Sequence, residues 1–173
     1  MEYNYRFLWV GETVGHYLER AVWCITTGVY VITTKDKKGR MNGMGAAWVN
    51  RVSEEPPMVV ITVWENNYTY ELIQDADYFV VNILMEGQQD IARHFGRQSG
   101  RDVDKFKDID YKVTEHGIPY LPQALAFIEC EIIFRKKFGD HMMLVGKVIR
   151  EEVLHEGIPL VYKHEDYFNE ERV

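Results

Sequence analysis

Residues 125–150 read LAFIECEIIFRKKFGDHMMLVGKVIR. In the first half Ala126, Ile128, Cys130, Ile132 and Phe134 alternate with Glu129, Glu131 and Arg135, the period of two expected of a strand with one apolar face. Phe138-Gly139-Asp140 breaks the alternation with a glycine where a tight turn needs one, and 141–150 returns as a second apolar-rich run. This pattern predicts a long β-hairpin, and with it an antiparallel sheet.

More strands follow on either side. Residues 29–34 (VYVITT) are β-branched and aromatic, and 35–39 make a polar turn. A second strand is predicted over 44–53, ending at Glu54-Glu55-Pro56-Pro57, where proline withdraws ladder donors. The short apolar runs 58–64 (MVVITVW) and 78–84 (YFVVNIL) suit strands buried on both faces. Helical signals are fewer: Leu18, Ala21, Val22 and Ile25 at helical spacing, and short helices over 69–76 and 88–95, the latter stopped by Gly96. Six or seven strands with few short helices predict a closed or split antiparallel barrel.

At 173 residues the chain is expected to be one domain, 1–173, able to bury a core without staples. Its 20 Lys and Arg against 27 Asp and Glu leave a net charge of −7, which argues against nucleic acid or an anionic membrane surface as partner. Seven acids against two bases over 151–173 read as a solvated surface. Cys24 and Cys130 form neither a zinc spacing nor a disulfide framework, and residues 1–15 lack a basic segment followed by a long apolar run. A cytoplasmic location is expected.

The chemistry-bearing motifs are best defined by elimination. The six histidines include no HxH, HxxxH or HExxH, so no metal site is predicted. Ser53 and Ser99 are the only serines and neither lies in a nucleophile elbow; GxGxxG and GxxxxGK[ST] are absent. Within 93–107, Arg93, Arg97, Arg101, Lys105 and Lys107 face only Asp102 and Asp104, a local +3 in an acidic chain. Ser99 suits the N-cap of a new helical turn there, whose free amides beside Arg101 and Lys105 make an anion cradle; the same residues also suit an ordinary charged surface helix. Residues 65–69 (ENNYT) lie between strand and helix and either hold an anion or simply cap that helix. Residues 42–48 (NGMGAAW) are small enough to let a flat group approach the backbone beside Trp48, or to form a tight bend among core residues. A flat group against a bare strand and a phosphate held by two loops match the needs of a flavin mononucleotide.

Seven stretches, TGVYVITT (27–34), NGMGAAWVNRVSEEPP (42–57), NNYTYELI (66–73), FVVNIL (79–84), SGRDVDKF (99–106), PYLPQALAFIECEI (119–132) and GDHMMLVGKV (139–148), together resemble the flavin reductase-like family of FMN-binding split barrels, and within it the flavoredoxin-like proteins. The resemblance implies a mainly β, six-stranded antiparallel split barrel with a few short helices, a homodimer, and non-covalent FMN near the subunit interface. It implies that Met44, Gly45, Ala46, Ala47, Trp48, Val49 and Asn50 border the isoalloxazine ring. Asn66, Asn67, Tyr68 and Thr69 correspond to the phosphate loop, Ser99, Arg101 and Lys105 to a segment reaching the ribityl chain or phosphate, and Asn82 and Phe95 to positions near the cofactor. His141, in Gly-Asp-His, corresponds to a catalytic histidine at the flavin face, where relatives that use a nicotinamide stack it.

Two departures have consequences. Gly45, Ala46 and Ala47 replace the hydroxyl residues common in relatives, leaving that recognition to main-chain amides, and Asn67 replaces a basic residue, moving phosphate neutralisation toward Arg101 and Lys105. The implied activity is an FMN-dependent oxidoreductase drawing electrons from NAD(P)H or a redox protein. Its alternatives are a flavoredoxin-like carrier without nicotinamide binding, and a non-catalytic flavin- or haem-binding barrel.

Overall fold

The computed structural model describes residues 21–163 and 165–168. The N-terminal reading, Leu18 of the first predicted helix, and Glu170, Glu171 and Arg172 of the acidic tail lie outside the described residues.

Seven strands form one sheet: β1 (Tyr30–Lys35), β2 (Met41–Ala46), β3 (Val49–Glu54), β4 (Pro57–Trp64), β5 (Tyr78–Ile83), β8 (Ala126–Phe138) and β9 (His141–Val153). Their spatial order is β2-β1-β5-β8-β9-β4-β3, and every pairing is antiparallel. The small strands β6 (Lys112–Val113) and β7 (Pro119–Tyr120) pair as a separate hairpin. Three short helices, α1 (Tyr68–Ile73), α2 (Gln89–Gly96) and α3 (Glu165–Phe168), complete the described residues with a 3-10 turn over Ala21–Cys24.

The predicted 44–53 strand is in fact two strands, and the break between them makes the barrel. β2 and β3 are the opposite edges of the sheet, yet only Ala47 and Trp48 join them. A flat seven-stranded sheet would hold its edges about 29 Å apart at ~4.8 Å per strand. Three Cα steps span at most about 11 Å. The sheet must therefore roll up until its edges meet, without a ladder sealing them, which is the split barrel of the sequence expectation with one strand more. Pro57 does not end a ladder but opens β4, pairing with Glu54 across the β3–β4 turn.

The rolled sheet encloses Ile32, Met44, Ile61, Phe79, Cys130 and Leu144, stoppered by Ile73 and Ala76 at and beyond the end of α1. A second cluster, including Val31, Leu84, Phe95 and Phe106, lies under α2, and a third, Val80, Ile118 and Phe127, lies under the β6–β7 hairpin. β5 is buried on both faces as its sequence predicts, and β1 is too; β4, of which the same was expected, instead alternates between buried Val59, Ile61, Val63 and half-buried Val60 and Thr62.

The alternation of 125–135 also needs correction. Glu129, predicted solvent-facing, is buried beneath the small hairpin, accepting hydrogen bonds from the Thr114 hydroxyl and from His116 Nδ1 at 3.1 Å. A bulge at Glu129/Cys130 and another at Ile132/Phe134 shift the register, and Phe134 emerges exposed. The β8–β9 hairpin itself is as predicted, with Gly139 at φ +57° in its turn.

Candidate functional site

β4 and β9 fix one end of the site. Trp64 pairs with His141, and the chain leaves β4 through Glu65, whose amide donates to the Asp140 carbonyl at 3.0 Å. Asp140 Oδ1 lies 2.8 Å from His141 Nδ1, which fixes the imidazole's orientation and leaves Nε2 as the nitrogen able to meet a ligand. The same hydrogen bond is the main reason the Asp140 carboxyl titrates below its usual range. Trp48, in the link between the two sheet edges, brings its indole to 4.7 Å from the His141 ring at a 32° tilt, and stays 54% exposed. The result is an open aromatic wall with a polar corner.

Residues 65–69 carry the site onward. The Asn67 amide donates to Trp64 O at 3.0 Å and turns the chain into α1, while its side-chain Nδ2 reaches Met44 Sδ at 3.5 Å. Asn42 Nδ2 donates to Thr69 Oγ1 at 2.8 Å, so both ends of the loop are tied to β2. Asn67 occupies the cap position without a side-chain cap bond, and the amides of Tyr68 and Thr69 stand in a first helical turn that has no helical acceptor for them.

Across this loop comes the 99–101 turn. The Arg101 amide donates to Ser99 Oγ at 3.1 Å, and the guanidinium donates to Asn66 O at 3.0 Å through Nη1 and to Glu71 Oε1 through Nε (2.9 Å) and Nη2. It also lies 5.5 Å from the Tyr68 ring centre. Gly100 permits the approach: a Cβ there would fall 2.3 Å from Asn42 Oδ1. A cleft of about 430 Å³ opens between Arg40, Asn42, Tyr68, Gly100 and Arg101. The Ser99 turn is a single turn whose Ser99 hydroxyl caps it as expected, and no longer helix follows.

The +3 island disperses on folding. Arg93 bonds Asp90 at 2.7 Å and the Asp166 carbonyl, and Arg97 bonds the Tyr167 carbonyl, so both pin the C-terminal turn. Lys105 is 5% exposed and donates to Gly43 O at 3.0 Å and Phe95 O at 2.7 Å; burial lowers its pKa to about 8. Arg101 therefore remains as the cation beside the 66–69 loop, and Lys105 moves to the scaffold.

Other expected contact residues are internal too. Asn82 is fully buried, donating to Val31 O at 2.9 Å and accepting from the Leu121 amide at 2.7 Å. Phe95 is fully buried against Gly43, where a Cβ would lie 2.7 Å from its ring. A Cβ on Gly45 would meet the α2 backbone at 3.2 Å, so both glycines admit α2 rather than an external flat group. Met44, Ala46 and Val49 pack on the barrel interior, whereas Ala47 is half-buried and Asn50 is exposed. Glu71, Gly100 and Asp140 were not among the expected contact residues, and Asn42 was read only as the first residue of the 42–48 stretch. For Asp140 the signal was its adjacency to His141; Glu71 meets Arg101 across 30 positions and no local pattern marks it.

Among the described residues no three His, Cys, Asp or Glu side chains gather as metal ligands, and no helix is long and apolar enough to cross a membrane.

The chain is similar to known proteins in both sequence and fold. Residues 22–171 match the family model of the flavin reductase like domain. The chain is 35% identical over 147 residues to the high molecular weight rubredoxin of Moorella thermoacetica, a match covering 84% of this chain and 64% of that one. It spans only 26%, 26% and 23% of three cyanobacterial diflavin flavoproteins. Among solved structures, an NADH:FAD oxidoreductase of Streptomyces globisporus superposes with a TM-score of 0.74 at 30% identity, covering 80% of this chain and 82% of that one. An FMN-binding protein of Thermus thermophilus, solved with bound 1-cyclohex-2-enone, gives 0.76 at 25% identity, with 90% and 89% covered.

Proposed function

The chain belongs to the flavin reductase-like family, and from that premise we propose that it is an oxidoreductase that binds FMN non-covalently and passes electrons through it from NAD(P)H or a redox protein. The observation that carries this reading is the continuity of the site. One loop, 64–69, joins the wall made by exposed Trp48 and half-buried His141 to the first turn of α1 and to Arg101. A flavin mononucleotide needs those three things in that order: a flat apolar wall, polar backbone, and a cation for phosphate.

The residues present fit the group. Trp48, Ala46 and Ala47 would border the ring; Asn66, Asn67 and Tyr68 with Arg101 would hold the phosphate end. When bound, FMN would supply the redox chemistry, with the chain's own residues supplying binding and orientation. His141, oriented by Asp140, would position the donor over the ring and exclude water from one side. Asn82, Phe95 and Lys105 would act at one remove, holding β1, β2 and α2 in place beneath the site.

Similarity to the high molecular weight rubredoxin supports a redox protein as donor or acceptor, and similarity to the NADH:FAD oxidoreductase supports a nicotinamide. A homodimer is part of the proposal: Phe134 and Phe138 are exposed on one strand face with Val145 and Met143 half-buried opposite, an apolar surface a second copy would cover. The free cysteines Cys24 and Cys130 suit a reducing cytoplasm.

The experiment is a titration of the purified protein with FMN, FAD and riboflavin, followed by anaerobic bleaching of bound flavin with NADH, NADPH and a reduced rubredoxin. FMN binding with nicotinamide bleaching supports the reductase. Bleaching by the iron protein alone supports the flavoredoxin-like carrier, and failure to bind any flavin overturns both.

A further inference from the structure

Arg101 is the cation the proposed function assigns to phosphate, yet a carboxylate already holds it. Its Nε donates to Glu71 Oε1 at 2.9 Å, and its Nη2 donates to the same oxygen. Glu71 projects from the first turn of α1, next to the 66–69 loop whose Asn66 carbonyl Arg101 also bonds. It also acts electrostatically on Arg40 across the cleft, beside the stronger hold of Asp36. Glu71 thus occupies, from within the chain, a position that an incoming phosphate would use.

We propose that Glu71 is an internal counter-ion that competes with the flavin phosphate for Arg101 and so keeps FMN exchangeable. The proposal rests on the flavin reading above. A phosphate monoester brings about −1.5 to −2 charges at neutral pH. It must either displace Glu71 from the guanidinium or share it at close range with a like charge. Both routes subtract from the gain of the Arg101–phosphate contact. The pair is open to solvent, with the Arg101 and Glu71 side chains 42% and 46% exposed, so the exchange needs no rearrangement of the barrel. Tyr68, with its ring against the guanidinium, would hold the arginine in place once Glu71 lets go. Such an arrangement suits a protein that takes flavin as a substrate or passes it on, rather than one that retains it permanently.

The test compares equilibrium binding of FMN and riboflavin, which differ only in the phosphate, to the wild type, Glu71→Gln, Arg101→Ala and the double variant. Glu71→Gln should tighten FMN by about 3- to 10-fold, an effect that shrinks with added salt, while riboflavin changes by less than about 2-fold. The gain should vanish in the double variant, because it acts through Arg101. Equal tightening of FMN and riboflavin, or weaker FMN binding in Glu71→Gln, overturns the proposal while leaving the flavin reading intact. A wild type that binds neither ligand overturns that reading and the proposal with it.

Discussion

Lys105 Nζ donates a 2.7 Å hydrogen bond to the carbonyl of Phe95 in the last turn of α2, with a second bond to Gly43 O in β2. A buried ammonium at a helix C-terminus meets the negative end of the dipole, and the two carbonyls partly replace water. The bond clamps α2 onto the strand that borders the site.

That clamp has a pH signature. Burial depresses the Lys105 pKa to about 8, below the ordinary 10.5. Between these values the unfolded chain binds a proton that the folded one has released, so stability rises with pH across this window. The gain is about 3 kcal/mol at most, from ~1.4 kcal/mol per unit. In Lys105→Met it should be absent. Urea unfolding of both proteins from about pH 7.5 to 10.5 should show the wild type gaining on the variant; parallel curves would mean the amine titrates normally.

Arg101 should behave in the opposite way. Its ion pair with Glu71 is solvent-exposed, so Arg101→Ala should cost less than about 1 kcal/mol of stability. FMN affinity should nevertheless fall by about 10-fold or more, with riboflavin affected far less. Isothermal titration and a denaturant curve on the same preparation check both parts. A large stability loss with unchanged affinity would assign Arg101 to the scaffold beside Lys105.

Gly43 and Gly45 provide a packing prediction. A methyl at Gly43 would sit 2.7 Å from the fully buried Phe95 ring, and one at Gly45 would sit 3.2 Å from Ala92 O. In an open strand Gly→Ala would stabilise slightly, but here the ring has nowhere to go. Gly43→Ala should cost about 1–3 kcal/mol, measured by thermal or urea unfolding. Gly45→Ala should cost less, because its contact is looser. A neutral Gly43→Ala would show that α2 can lift away from β2.

These residues also show what the sequence could disclose. The hairpin over 126–153 was legible because side-chain period and a turn glycine act locally, and so was the doubly buried β5. The break at Ala47-Trp48 was not, since nothing in two small residues and one aromatic states that the chain there crosses from one edge of a sheet to the other. Small residues at 43 and 45 announced a close approach but not its partner, which is α2, about fifty positions away. The five bases of 93–107 suggested a local positive island for an anion, but burial and the C-terminal turn claimed three of them. The 66–69 loop does meet Arg101 of the Ser99 turn, and Trp48 does meet His141, because His141 pairs with Trp64 at the ends of two strands that were legible and the loop starts from there.

The last prediction separates holding a flavin from using it. His141 touches Trp48 on one side and is oriented from the other by Asp140, while the phosphate-end residues are Asn66, Asn67 and Tyr68 of the 64–69 loop and Arg101, which bonds Asn66 O. Removing the imidazole should therefore damage donor positioning more than flavin binding. His141→Ala is expected to lower NAD(P)H-driven reduction of saturating FMN by about 10- to 100-fold, with a shift in FMN affinity below about 3-fold. Asp140→Ala, which leaves the ring but frees its orientation, should fall between the variant and the wild type. Asp140 should not itself produce an acid limb above about pH 4, because its hydrogen bond to His141 keeps the carboxylate ionised below the usual range. Stopped-flow reduction with each nicotinamide reads the rate, and fluorescence titration reads the affinity. If His141→Ala loses FMN and turnover in equal measure, the histidine belongs to the flavin wall together with Trp48; if neither changes, electrons enter from another face and the redox-protein reading gains.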